Sequence, residues 1–183
     1  MFRLLPETAE PQHPDIGAAF ASFTTKQNVS PVPLPVLSAG RLIRGSRLNV
    51  KAFGYFSTTG TPTIQFGFWI GTRALAASSD LALSSAITTG SGAAAWPWIM
   101  EWEGIVTAAE STAGSLTGMG YLLLGTSLTA FAAAVPIPTT DALRTVAFDP
   151  TIERAIGVNA AFSANSASNI VKVHSLTVTP QNC

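Results

Sequence analysis

Apolar and polar residues alternate along most of this chain with the period of two that a β-strand imposes when one face of its sheet is buried. Leu48, Val50, Ala52, Gly54 and Phe56 fall on one face, with Phe53 and Tyr55 on the other. Ile64, Phe66, Phe68 and Ile70 then share a face, against Thr63, Gln65, Gly67 and Trp69. Between the runs 48–58 and 63–72 lies Thr59-Gly60-Thr61-Pro62, where Gly60 can supply positive φ. The pattern predicts two long strands across a tight turn. Residues 95–107 predict another, with Trp96, Trp98, Met100, Trp102 and Gly104 opposite Ile99, Glu101, Glu103 and Ile105. A nearly continuous apolar strand follows at 119–125, and a short one at 145–148 ends at Asp149-Pro150. The segments 152–162 and 169–179 predict a closing hairpin across Ser163 to Ser168. The Ala-rich stretch 75–83 reads as a helical turn in a loop.

About eight strands with Gly, Ser and Thr turns, and little helix, predict an all-β fold. Strands do not alternate with helices, which argues against a parallel sheet. The expected architecture is an antiparallel β-sandwich, jelly-roll-like because that fold closes eight strands in two sheets. Its expected core includes Ile64, Phe66, Phe68, Leu122, Leu124, Ile156, Val158 and Val173.

The first 37 residues break the alternation. They hold half of the 12 prolines, at 6, 11, 14, 31, 33 and 35, which remove backbone donors and disfavour regular helix and central strand. Yet they also carry Phe2, Leu4, Leu5, Phe20 and Phe23, which a free tail gains nothing from exposing. Residues 1–37 are therefore expected to form an extended proline-rich N-terminal arm that binds a partner through these five side chains. Asp15 can cap one short helix over 15–23. The sandwich domain is expected over 38–183.

Charged residues make up 11 %, against about a quarter in ordinary soluble proteins. Small neutral residues take their place, as suits a chain packed against copies or partners. The formal net charge is zero, which argues against a nucleic-acid partner. Arg41, Arg44, Arg47 and Lys51 cluster, and read as a solvated strand face. Cys183 is the single cysteine, so an internal disulfide and a cysteine zinc site are excluded. Met1 to Leu5 is followed by Pro6, Glu7 and Glu10 rather than an apolar signal region, and no apolar run is long enough to cross a bilayer. A soluble chain made in a cytoplasm is expected, with no membrane partner.

Catalytic chemistry has few candidates. Glu101 and Glu103 share a strand face, and paired carboxylates can act on glycosidic bonds, but a solvated or interface face is the simpler account. His13 and His174 each stand alone, without metal-ligand spacing. No nucleophile elbow, phosphate loop or dinucleotide fingerprint occurs. The expectation is no enzyme, no cofactor and no metal. Trp69, Trp96, Trp98 and Trp102 are the sharpest binding candidates, as interface aromatics or sugar platforms, with core packing as the alternative.

Tyr55-Phe56-Ser57-Thr58-Thr59-Gly60-Thr61-Pro62-Thr63, followed by Phe66-Gly67-Phe68 and Gly71-Thr72, resembles a sandwich domain of tailed-bacteriophage structural proteins, chiefly those of actinobacteriophages. So do Ala95-Trp96-Pro97-Trp98, Gly120-Tyr121-Leu122 and Ala164 to Asn169 before Leu176-Thr177-Val178. The resemblance covers about residues 38–180 and not the arm. It implies a capsid decoration or minor capsid protein on the virion surface, made in the host cytoplasm. The expected partners are the major capsid protein and further copies of the chain, as a homotrimer. The alternative it leaves is a tail or fibre domain that contacts host-surface glycan.

Overall fold

A strand with one apolar face must cover that face, and here two sheets cover each other. The structure is a computed structural model that describes residues 17–72, 78–140 and 144–181. Among these residues lie thirteen strands. They are β1 (Phe20–Ala21), β2 (Gln27–Asn28), β3 (Val36–Leu37), β4 (Arg47–Ser57), β5 (Thr63–Gly71), β6 (Ser78–Leu83), β7 (Ile87–Thr88), β8 (Trp96–Glu110), β9 (Ala113–Leu124), β10 (Val135–Ile137), β11 (Thr145–Phe148), β12 (Arg154–Phe162) and β13 (Ile170–Gln181).

The first sheet runs β1-β13-β4-β8-β9-β10, with β11 also on β9. The second runs β2-β12-β5-β6, with β3 on β12 and β7 on β5. Neighbouring strands in both sheets pair antiparallel. The fold is thus an antiparallel β-sandwich. Its first and last long strands pair in both layers, β4 with β13 and β5 with β12. That double pairing is the frame on which a rolled sandwich is built.

The alternation places the core as expected. Leu48, Val50, Ala52 and Phe56 of β4, with Trp98, Met100 and Trp102 of β8, face Ile64, Phe66 and Phe68 of β5 and Ile156 and Val158 of β12. Phe66 and Trp98 meet across the layers with ring centroids 4.7 Å apart. The eight core residues expected from the sequence are all buried. Trp102 fits because Gly104 and Gly118 carry no β-carbon where its indole lies.

Three expectations are corrected. β4 and β5 do not form a hairpin, because the chain between them crosses from one sheet to the other; the same holds for β12 and β13. Good turn chemistry at 59–62 and 163–168 serves a layer change instead. Next, residues 78–83 form β6, because Leu81 and Ala82 pack into the sandwich while Ser79 points out.

The third concerns the arm. Its described part, from residue 17 on, belongs to the sandwich. β1 pairs with β13, and β2 and β3 pair with β12. Residues 20–21 are strand, not the middle of a helix. Phe23 is 4 % exposed and its ring lies 5.3 Å from that of Phe162. Phe20 is half-buried against the same core, and Val29 and Leu37 are inside it. Pairings of two residues each are short enough to fit between prolines, which is why they left no periodic signal. Phe2, Leu4, Leu5 and His13 lie outside the described residues.

Phe66→Ala should therefore cost about 3–5 kcal/mol, and Phe23→Ala a comparable amount, in urea unfolding. A chain that starts at residue 38 loses Phe23, Val29 and Leu37 together and should show no cooperative unfolding transition. A sharp transition in that truncation would return these residues to an independent arm.

Candidate interaction surface

Each sheet also has an outer face, and the two differ. On the second sheet, Trp69 and Asn159 are both fully buried although they point away from the core. The indole lies over Gly157, beside Ser30. Asn159 Nδ2 donates to Asp80 Oδ1 at 3.1 Å, and Lys26 Nζ donates to both Asp80 oxygens, at 2.8 and 2.7 Å. Ser30 Oγ accepts from the Val158 amide at 2.7 Å. The side chains of Lys26 and Ser30, on either side of the edge strand β2, thus reach onto this face and tie it down.

The outer face of the first sheet is open. Strand register arranges it in rows across β13, β4, β8 and β9. One row is Ser175, Phe53, Ile99 and Leu123. The next is Thr177, Lys51, Glu101 and Tyr121. Then come Thr179, Asn49, Glu103 and Met119, and finally Gln181, Arg47, Ile105 and Thr117. Phe53, Ile105, Met119 and Tyr121 are 44, 42, 57 and 36 % exposed. Four of the nine exposed large hydrophobic residues among those described therefore share one flat face. Scattered apolar side chains on a surface need no explanation, whereas a grouped set marks contact.

Four charges on this face pair within the sheet, and Lys172 lies over the Tyr55 ring, 6.0 Å from its centroid. Lys51 forms an ion pair with Glu101 on the neighbouring strand, and Arg47 Nη1 lies 3.5 Å from Glu103 Oε1. The hydrogen bond from Lys51 holds the Glu101 carboxyl below the usual carboxylate range, with a further contribution from the Tyr121 hydroxyl, against some desolvation. The same hydrogen bond raises the Lys51 ammonium, and Glu101 raises the Tyr121 phenol. Beside the Arg47–Glu103 pair is a depression of about 480 Å³, lined in part by Ile105, Met119 and Arg144.

This geometry assigns the sequence candidates. Glu101 and Glu103 each have a basic partner across the strand, which the one-strand reading could not show. A carboxyl kept ionised by Lys51 is poorly suited to donate a proton. Among the described residues, no group of three His, Cys, Asp or Glu side chains could hold a metal. His174 is exposed, with its ring edge-on to Tyr55 at 5.2 Å. Trp69, Trp98 and Trp102 are at most 1 % exposed, so they are not surface aromatics. Trp96 is half-buried and edge-on to Phe56 at 6.2 Å. The face offers Phe53 and Tyr121 instead. Their signal was present in the alternation, since Phe53 stood opposite the apolar set of its strand.

The class these observations define is an antiparallel β-sandwich with one covered and one open outer face. Compared with family models, curated proteins and solved structures, the chain gives no match.

The ion pair predicts a pH profile. Glu101 is depressed in the folded chain, so its contribution to stability is present above the ordinary carboxylate pKa and is lost as pH falls through the folded value. Lys51 is raised, so its contribution is present below the ordinary lysine pKa and is lost as pH rises through the folded value. The urea midpoint of the native chain minus that of Glu101→Gln should be flat at neutral pH and shrink at both extremes. A difference that grows on acidification would contradict the pairing.

Proposed function

We propose that this chain is a structural subunit of a virion, a decoration or minor capsid protein on the head of a tailed bacteriophage. The observation that carries the reading is the open face of the first sheet, where grouped apolar side chains sit among internally matched charges. Such a face suits a subunit that meets another protein over a flat area. The low charge content and the sequence resemblance of residues 38–180 to phage sandwich domains support the same role. The role needs neither catalysis nor a cofactor. Its partners are further copies of the chain and the major capsid protein, on the outside of the particle after synthesis in the host cytoplasm.

Attachment is assigned to the first residues. Phe20 and Phe23 already serve the chain's own core, so Phe2, Leu4 and Leu5 are the proposed anchors left for the capsid lattice. The alternative, a tail or fibre domain that holds host glycan, has less to stand on, since three of its four expected tryptophan platforms are buried.

Purified chain added to heads that lack it should bind in hundreds of copies per particle, counted by quantitative mass spectrometry of washed particles. Replacing Phe2, Leu4 and Leu5 together by Ser should lower that affinity about tenfold or more. A handful of copies per particle would move the protein to the tail. Full binding by the triple variant would remove the anchor role.

A further inference from the structure

The rows on the open face are complementary to themselves, and the geometry points to a second copy of this chain as their occupant, related by a two-fold axis that runs parallel to the strands between β4 and β8. This inference rests on reading that face as a contact surface. Rotation about such an axis keeps each row at its own height and exchanges the columns: β4 of one copy lies on β8 of the other, and β13 lies on β9.

Three properties of the rows then agree. In the four rows the basic residues are on β4 (Arg47, Lys51) and the acidic ones on β8 (Glu101, Glu103), so the exchange sets a positive column over a negative one twice, while Lys172 of β13 stands beyond these rows beside Tyr55. At the height of Lys51, each ammonium gains the Glu101 carboxylate of the mate in addition to its own. At the height of Phe53, the exchange lays Phe53 of one copy on Ile99 of the other, apolar on apolar. The third is shape. The tall side chains Tyr121 and Met119 on β9 meet Thr177 and Thr179 on β13, which are short and stand in the same rows. Sheets packed face to face turn by about 30°, which moves the outermost rows and leaves the central ones in register.

Size sets the strength of the pairing. Four strands about 4.8 Å apart and seven residues long, the span of the four rows, present roughly 450 Å² per copy. About 900 Å² in total is the size of a weak, reversible interface. A face that meets its own copy is isologous and closes as a pair, so the pairing predicted here is two-fold rather than the homotrimer expected from the family resemblance.

The test uses the full-length chain. Sedimentation equilibrium should give twice the 19.0 kDa chain mass at micromolar concentration. Phe53→Glu should weaken self-association by about a hundredfold, since it removes a central apolar contact and adds unmatched charge. In a Cys183→Ser background, Met119→Cys combined with Thr179→Cys should yield disulfide-linked dimers on oxidation. Within one chain those positions are three strand spacings apart, about 14 Å, too far to bridge. Circular dichroism of Phe53→Glu should match the native chain, and its urea midpoint should match that of the native chain diluted until it is monomeric, so that loss of pairing is not loss of fold. A monomer throughout the concentration range overturns the inference, as does a dimer that survives Phe53→Glu and does not cross-link. A monomer that still binds phage heads overturns the second copy as occupant and leaves the virion role standing.

Discussion

The sandwich depends on two layer changes made at the same end. β4 leaves the first sheet and β5 enters the second across residues 58–62, and β12 returns to β13 across 163–169. The two crossings are bonded to each other. Thr59 N–H donates to Asn169 Oδ1 at 3.3 Å, Thr63 N–H to Ser163 Oγ at 2.8 Å, and Ser163 N–H to the Thr63 carbonyl at 2.9 Å. Asn169 Nδ2 also holds the Ala164 carbonyl at 2.8 Å. A third segment closes the end, with Thr58 N–H on the Ala93 carbonyl and Thr89 Oγ1 on the Pro62 carbonyl. Thr58, Thr89 and Asn169 are buried, so the bonds these three make satisfy polar groups that would otherwise be costly inside. If the crossings opened, β4·β13 and β5·β12 would no longer face each other and the apolar sets of both sheets would lose their cover.

That arrangement explains how far the sequence could be read. A strand's inward face follows from alternation alone, and so Leu48 to Phe56 and Ile64 to Ile70 were legible residue by residue. Whether neighbouring strands pair or part is decided elsewhere. Thr59-Gly60-Thr61-Pro62 has the chemistry of a hairpin turn, and nothing local reveals that Asn169, far along the chain, takes its amide. The same holds for residues 17–37. Their proline spacing was correctly read as hostile to long elements, but a two-residue pairing such as Gln27–Asn28 on β12 has no period to detect. The tryptophans show the limit of parity. Trp98 and Trp102 shared a face with Met100 and lie in the core, as one of the two readings had it. Trp69 stood on the opposite face and is buried all the same, because its indole lies over Gly157, which has no side chain, beside Ser30.

The two outer faces therefore have different histories of cover. A sheet exposes one face to water unless something packs on it, and this chain uses its own N-terminal segment for one side. The side it leaves open is the one with the longest strands, β8 and β9 reaching fifteen and twelve residues. It is also where this sparsely charged chain places two of its ion pairs. With ten acidic and ten basic residues in all, setting four in these rows, each opposite its complement, makes the rows neutral in sum and patterned in detail.

Pattern matters more than strength here. An exposed ion pair contributes about 0–1 kcal/mol to a fold, because water screens it and two long side chains must be held still. Lys51–Glu101 and Arg47–Glu103 are therefore minor beside the buried aromatic contacts, and the sandwich would stand without them. Charges arranged in columns do something else at a contact: they favour one register and disfavour the shifted ones, in which like columns meet. Apolar side chains alone would let a flat sheet slide on its partner, since each row of such a surface resembles the next. On this face Phe53 and Met119 supply area, while the basic column on β4 beside the acidic column on β8 makes one alignment distinguishable from its neighbours.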